Sequence, residues 1–343
     1  MEKNLAVLGV GAIGSCIGVD LTMAGYNVLL IDQWPAHVEA MKAKGLRMIM
    51  PPPEEELHTP VRALHLCEVS ALQPQLDIVF LSSKSYDTCW MAQFVKPYLK
   101  SEGVVVSIQN SLNDEWLAPI IGKDRDLACV VELSAAIFEP GRVKRKISHA
   151  HTMFILGELD GKITPRLLEV TQILKNVAGI VETTPNIMGN KWTKIVFNSM
   201  SGLDAIAGVP TKELVENHPD ILEIMIKVGQ ESIKVPLALG YTLDPIFGMT
   251  SSDFMNSTDE VLKTMFRKFF SVVRESRPSH ALQDIVKGRR TELHYMNGLI
   301  VEKGRETKVS TPLNETVLSL VTQIEQGKLK PGLSNFEIFK KQI

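Results

Sequence analysis

Cysteine is scarce in this chain and poorly spaced for chemistry. Its four residues, Cys16, Cys67, Cys89 and Cys129, form no CxxC pair, so a zinc ribbon or a disulfide framework lacks the spacing it requires. The expectation is reduced, mostly buried thiols in a cytoplasmic protein. A surplus of positive charge is also missing, because 37 Lys and Arg stand against 39 Asp and Glu. Nothing is left over to neutralise nucleic-acid phosphates, and no polybasic block could hold an anionic membrane. Neither nucleic acid nor membrane is expected as a partner, which leaves a small molecule. Long apolar runs are absent too. The opening MEKNLAVLGVGAIG passes from charged residues into a strand-like run, with neither the length of a membrane span nor a small-residue cleavage site. Internal repeats and low-complexity tracts are likewise missing.

What remains is an ordinary globular composition, 45% hydrophobic and 22% charged over 343 residues, long enough for two domains. Residues 4 to 8 form a short apolar run, followed by a glycine-rich turn, a helix-like stretch from Ile13 to Ala24 and a second apolar run at 27 to 32. That is the βαβ order of a mononucleotide-binding half. Further buried strands are expected at LDIVFLSS (76 to 83), GVVVSIQ (103 to 109) and LACVVEL (127 to 133). Their alternation with helical segments implies a mainly parallel sheet covered on both faces. Pro51 to Pro53 read as an exposed connection, and RKISHAHTMFILGEL as an edge strand or hairpin. After Thr184 the pattern turns helical through KWTKIVFNSMSGLDAIAG, ILEIMIKVGQESIKVPLALG, DEVLKTMFRKFFSVVRES and SHALQDIVKGRRTELHYMNGLIVEKGRE. Pro185 breaks the pattern, so domains of 1–184 and 185–343 are expected.

Gly9, Gly11 and Gly14 stand as GVGAIG between strand and helix. The first glycine permits the tight turn, the second lets backbone approach a pyrophosphate and the third lets helix and strand pack closely. With Ala12 and Ile13 opening the helix, its N-terminus would hold the phosphates of a dinucleotide. Asp32 ends the second strand, 23 residues after Gly9, which completes the motif. Asp32 is either a solvated turn residue or the acceptor of the adenosine ribose hydroxyls, where a 2′-phosphate would be repelled. No Lys or Arg occupies 33 to 41, so NAD is expected as cofactor, with NADP the alternative.

These segments together resemble the ketopantoate reductase family over nearly the whole chain. GVGAIG resembles its cofactor turn, SSKSYDT its strand-end lysine segment, and SIQN its asparagine-ending strand; EPG at 139 to 141 recurs in similar members. NKWTKIVFN resembles the helix with its catalytic lysine, and SHALQDIVKGRRTELHYMNG its helix with a paired glutamate. The resemblance implies an α/β Rossmann domain followed by an all-α domain like that of 6-phosphogluconate dehydrogenase, with the site in the cleft between them. It implies reduction of a 2-oxo acid to a 2-hydroxy acid, usually with NADPH, and a homodimer. By position, Lys84 and Asn110 would line the nicotinamide and ribose end, Lys194 would be the acid/base, Asn198 a substrate ligand, and Glu292 the acidic partner of substrate and lysine.

The residues themselves leave alternatives open. Lys191, Lys194 and Asn198 lie at i, i+3 and i+7 and so share a helix face, but a helix lysine is usually a solvated charge. Lys84 could snorkel from a strand end, Asn110 could form a turn, and Glu292 could be a surface carboxylate paired with Arg289. Hydride addition to a carbonyl puts negative charge on oxygen, which a positioned ammonium stabilises and protonates. In the oxidation direction the lysine must start neutral, a state favoured by burial and by a nearby positive ring.

Two positions depart from the family. Gly202 stands where a second substrate-binding asparagine is common, and His280 where a substrate-contacting serine is expected. His280 and Asp284 are four apart on an expected helix whose stripe continues through Gly288, Glu292 and Tyr295. His280 then either steadies the helix start with Asp284 or binds a different substrate. The Phe- and Met-rich stretch from Tyr241 to Phe270 reads mainly as core, with a few side chains available to enlarge an apolar pocket. His149 and His151 form HxH on an expected strand, but no third ligand is suitably spaced, so no metal is expected. The expected function is a nicotinamide-dependent oxidoreductase for a 2-hydroxy acid/2-oxo acid pair other than pantoate, with a carboxylate substrate and a catabolic direction. The rivals are a biosynthetic ketopantoate reductase using NADPH and a dinucleotide-sensing protein without turnover.

Overall fold

A computed structural model describes residues 3–73, 75–273 and 276–343. The chain divides into two compact units, Met1–Ile187 and Met188–Ile343.

The first unit contains strands β1 (Asn4–Leu8), β2 (Asn27–Asp32), β3 (Leu46–Ile49), β4 (Glu56–Thr59), β5 (Arg62–His65), β6 (Leu76–Leu81), β7 (Leu99–Ser107), β8 (Asp126–Glu132), β9 (Ala135–Glu139), β10 (Arg142–Arg145), β11 (Met153–Gly157) and β12 (Ile180–Thr183). Its helices are α1 (Ala12–Met23), α2 (Pro35–Lys44), α3 (Thr88–Val95), α4 (Asp114–Ile121) and α5 (Pro165–Leu174). Eight strands form one sheet in the order β12-β11-β8-β7-β6-β1-β2-β5. All neighbours are parallel except β8 and β11. Strand order reverses at β1, whose neighbours are β2 and β6, and ligands of open α/β sheets bind at the strand carboxyl ends at such a reversal. The core strands β1, β6 and β8 are almost wholly buried, which explains why they read as continuous apolar runs.

A second sheet, β4-β3-β10-β9, was not expected. Its strands β3, β4 and β10 have four residues each with mixed exposure, too short for a period to register. Pro51 to Pro53 lie in the β3–β4 hairpin connection. The EPG turn joins β9 to β10 and reaches α2: the Gly141 N–H donates to His37 Nδ1 at 2.8 Å. Burial pushes His37 below its ordinary value, against the pull of Asp32.

The HxH pair sits on a single 3-10 turn, His149–His151, and not on a strand. His149 Nε2 meets Asp20 Oδ1 at 2.9 Å, while His151 Nδ1 meets Ser148 Oγ at 2.8 Å. Among the described residues no group of three or more His, Cys, Asp or Glu gathers as a metal cluster. Cys16 and Cys129 are buried, but Cys67 and Cys89 are exposed, so the thiols are not mostly buried. Burial pushes the Cys16 thiol up to about 12, which leaves it inert at neutral pH.

The second unit is helical: α6 (Ile187–Ser201), α7 (Asp204–Ala207), α8 (Thr211–Asn217), α9 (Pro219–Ala238), α10 (Thr258–Val272), α11 (His280–Val286), α12 (Asn297–Thr307), α13 (Pro312–Glu325) and α14 (Glu337–Lys340). The end of the expected helix DEVLKTMFRKFFSVVRES includes Arg274 and Glu275, which lie outside the described residues. The long expected helix from Ser279 to Glu306 is broken in two. Gly288 adopts φ of +64° and closes α11 with bonds from Gly288 N to Ile285 O and from Arg289 N to Asp284 O, a glycine stop. Glu292 and Tyr295 therefore do not continue the stripe of His280 and Asp284. Trp192, Ile195, Val196, Phe197 and Met200 bury the apolar part of α6, each worth roughly 1.5–3 kcal/mol. Among these residues the buried Ser199 Oγ lies 2.9 Å from Ser232 Oγ, and nearby Asn297 Nδ2 donates to Asn314 Oδ1 at 2.9 Å. No helix among the described residues is long and apolar enough to cross a membrane.

Candidate active site

In the first unit, the glycine turn shows what each glycine is for. Gly9 has φ of +89°, and a Cβ there would lie 2.6 Å from Ser83 N. A Cβ on Gly14 would lie 2.3 Å from Gly9 O. Gly11 is different, because a Cβ there would meet nothing within 4 Å. Open space above Gly11 joins an α1 N-terminus that no side chain caps, and Ala12 and Ile13 are half-exposed at its start. Unsatisfied N–H groups facing open space are the features a pyrophosphate needs.

Asp32 is only 7% exposed, so it is not a solvated turn residue. Its Oδ2 accepts from Val10 N at 2.5 Å and its Oδ1 from Trp34 N at 2.7 Å. The carboxylate thus holds the middle of the glycine turn, and each oxygen keeps a lone pair for a further donor. Lys42, the first cation after it in sequence, is held by Glu68 at 2.6 Å.

Lys84 and Asn110 follow β6 and β7 and are both half-buried. Gln109, which sequence reading passed over, ties the two strand ends together. Its Nε2 donates to Thr88 Oγ1 at 2.8 Å and to Ser83 O at 3.0 Å. Asn113 Nδ2 bonds Asn110 O, and Ser111, directly after Asn110, has φ of 77°, an uncommon conformation for a side-chain-bearing residue. No periodicity announces Gln109 or Asn113. Their signal was the density of amides and hydroxyls in SIQNSLND.

In the second unit, α6 carries the candidate chemistry. Lys194 is half-buried, while Lys191 is 2% exposed; neither is a solvated surface charge. One turn after Lys194, Asn198 is buried, and its Nδ2 has no hydrogen-bond partner among the described residues. An unsatisfied buried amide donor costs about 1–3 kcal/mol, and it lies on the neighbouring position of the lysine's helix face. The segment from Tyr241 to Phe247 is laid along the same helix. Thr193 Oγ1 donates to Asp244 O at 2.8 Å, and Asn190 Nδ2 to Pro245 O at 3.0 Å. Phe247, with φ of 56°, packs edge-on against Phe197 at 4.6 Å. Phe266, Phe269 and Phe270 complete an aromatic wall. Phe197 and Phe266 are buried, whereas Phe247, Phe269 and Phe270 are half-exposed.

Glu292 is 3% exposed, so it is not a surface carboxylate. Gly202 ends α6, and a Cβ there would lie 2.4 Å from Leu293 Cδ2. Leu293, fully buried beside Glu292, fills the space that a larger residue at 202 would need. His280, half-buried, begins α11 directly after its N-cap Ser279.

A doubly wound sheet with an uncapped, glycine-opened helix at its reversal point, followed by a helical unit bearing lysine, asparagine and a buried glutamate, defines a nicotinamide-dependent oxidoreductase acting on CH–OH groups. The comparisons with known proteins then narrow the class. Residues 5–161 match the model of ketopantoate reductase PanE/ApbA, and residues 186–325 match its C-terminal model. The chain is 30% identical over 328 residues to a 2-dehydropantoate 2-reductase of Archaeoglobus fulgidus, covering 95% of this chain and 99% of that one. It is also 30% identical over 334 residues to the enzyme of that name from Aquifex aeolicus, covering 96% and 99%. A ketopantoate reductase family structure from Ralstonia eutropha superposes with a TM-score of 0.79 at 28% identity, covering 95% and 99%. The chain belongs to the ketopantoate reductase family. Its fold is shared with D-mandelate dehydrogenase in complex with NADH and anilino(oxo)acetate, at a TM-score of 0.81, 23% identity and coverage of 95% and 99%.

Proposed function

We propose that this protein interconverts a 2-oxo acid and a 2-hydroxy acid other than pantoate, with NAD preferred over NADP. The observation that carries the reading is the buried, unpartnered Nδ2 of Asn198 one turn from Lys194. It is a donor awaiting a substrate oxygen, beside a group able to protonate one. Bound reduced nicotinamide supplies the hydride to the carbonyl carbon. Lys194 then gives a proton from Nζ to the carbonyl oxygen as charge develops there, Asn198 orients the acid, and Glu292 acts as acidic partner to lysine and substrate. In the reverse direction Lys194 takes the hydroxyl proton. Gly9, Gly11, Ala12, Ile13 and Gly14 serve the cofactor's pyrophosphate, Asp32 its ribose, and Lys84 and Asn110 its nicotinamide end.

Two features support a substrate other than ketopantoate. Leu293 Cδ2 occupies the space over Gly202, so a second amide there would have to displace it. The half-exposed rings near α6 also suit a side chain larger than pantoate's. The cofactor preference is supported by Asp32 and by the absence of Lys or Arg from 33 to 41. Cellular NAD is mostly oxidised, which favours a catabolic direction. The second reading, a ketopantoate reductase using NADPH, is favoured by the names of the relatives at 30% identity.

The test is absorbance at the reduced-nicotinamide band, with NADH and NADPH against ketopantoate and phenylglyoxylate, and NAD⁺ and NADP⁺ against the corresponding hydroxy acids. The expected outcome is faster NAD-linked turnover of the aryl pair. Faster NADPH-linked turnover of ketopantoate would establish the second reading instead.

A further inference from the structure

Beyond the end of α6 lies a buried carboxylate that the proposed chemistry does not use. Asp204 opens α7 and is fully buried. Its Oδ2 accepts from the Ser279 N–H at 2.7 Å and from the Thr211 hydroxyl at 3.2 Å, and its Oδ1 accepts from the Ser279 hydroxyl at 2.6 Å. Ser279 is 75 residues away in sequence and caps α11. Its Oγ accepts from Ala281 N at 3.0 Å and Leu282 N at 3.4 Å. A serine hydroxyl has one proton and two lone pairs. Asp204 takes the proton, so both lone pairs face the helix, and the cap is locked in one orientation.

A buried carboxylate is a poor way to gain stability. Burial pushes the Asp204 carboxyl up to about 7 against the pull of its hydrogen bonds, and an apolar contact would hold two helices at least as well. What the carboxylate adds is direction. It fixes both the backbone and the side chain of the residue before His280 to the turn that follows Asn198 and Gly202.

We propose that Asp204 is a positioning residue: through Ser279 it sets where His280 stands relative to the Asn198 end of α6, and thereby sets affinity for the 2-oxo acid. The inference rests on the substrate reading of α6 given above. Asp204 touches no reacting atom, so its loss acts on substrate binding and leaves proton transfer by Lys194 in place.

The experiment compares Asp204→Asn and Ser279→Ala with the full-length wild type and with His280→Ala, using ketopantoate and phenylglyoxylate as probes. Ser279→Ala keeps the carboxylate and its bond from the Ser279 N–H, and removes the hydroxyl link together with the cap on Ala281 N and Leu282 N, so it reports on the clamp even where Asp204→Asn does not fold. In either variant KM for the reduced probe should rise about tenfold, with kcat held within about threefold, and in a His280→Ala background the same change should add less than about twofold. An unchanged KM, or effects that multiply in the double variants, would overturn the inference. Wild type that reduces neither probe would count against the substrate reading alone. The clamp is then read from the His280 imidazole NMR signals, identified by their loss in His280→Ala. They should shift or broaden in Ser279→Ala, and signals identical to wild type would overturn the clamp.

Discussion

Asp204 also has a measurable signature in stability. A carboxyl held up to about 7 in the folded protein and near ~3.9 in the unfolded chain keeps its proton in the fold after the unfolded chain has lost it. Its contribution is fully present below about 4 and is lost as pH rises through about 7. Urea midpoints at pH 5 and pH 8 should therefore show a loss of stability at the higher pH that is smaller in Asp204→Asn. An equal loss in both proteins would show that another group governs the change. At this same scale the sequence is least informative. The glycine motif points to Asp32, and the family resemblance points to Lys194 and Asn198, as candidates. Asp204 and Gln109 were not legible, because their importance comes from partners that only folding brings near.

The ends of elements are where the reading and the structure part. Long helices and buried strands announce themselves by composition and period, as β1, β6 and α6 do. Gly288, by contrast, stops α11 through a left-handed backbone that glycine permits but does not demand, and Glu292 therefore lies outside the helix of His280. The close approach of α6 to the turn carrying Leu293 is equally hidden, since it depends on Gly202 lacking a Cβ. It is nevertheless testable. Gly202→Asn should destabilise the protein by about 1–3 kcal/mol through overpacking against Leu293. Adding Leu293→Ala should restore much of that stability and raise kcat/KM for ketopantoate relative to phenylglyoxylate. A Gly202→Asn protein as stable as wild type would show that Leu293 moves freely and does not shape the pocket.

At the scale of the whole molecule, the division of labour follows the two units. The first carries the glycine turn, Asp32, Lys84 and Asn110; the second carries Lys194, Asn198 and Glu292. The change from alternating to helical pattern is legible near Pro185, close to where the two units divide. The small second sheet is not, because strands of four or five residues carry too little pattern to register. A chain organised in this way should lose chemistry without losing its cofactor when the lysine is removed. The deciding measurement is steady-state turnover of Lys194→Ala beside NADH binding followed by nicotinamide fluorescence. The account predicts a fall in kcat on the order of a hundredfold to ten-thousandfold, the range for loss of a general acid, with NADH affinity within about twofold of wild type. Turnover at the wild-type rate would contradict it.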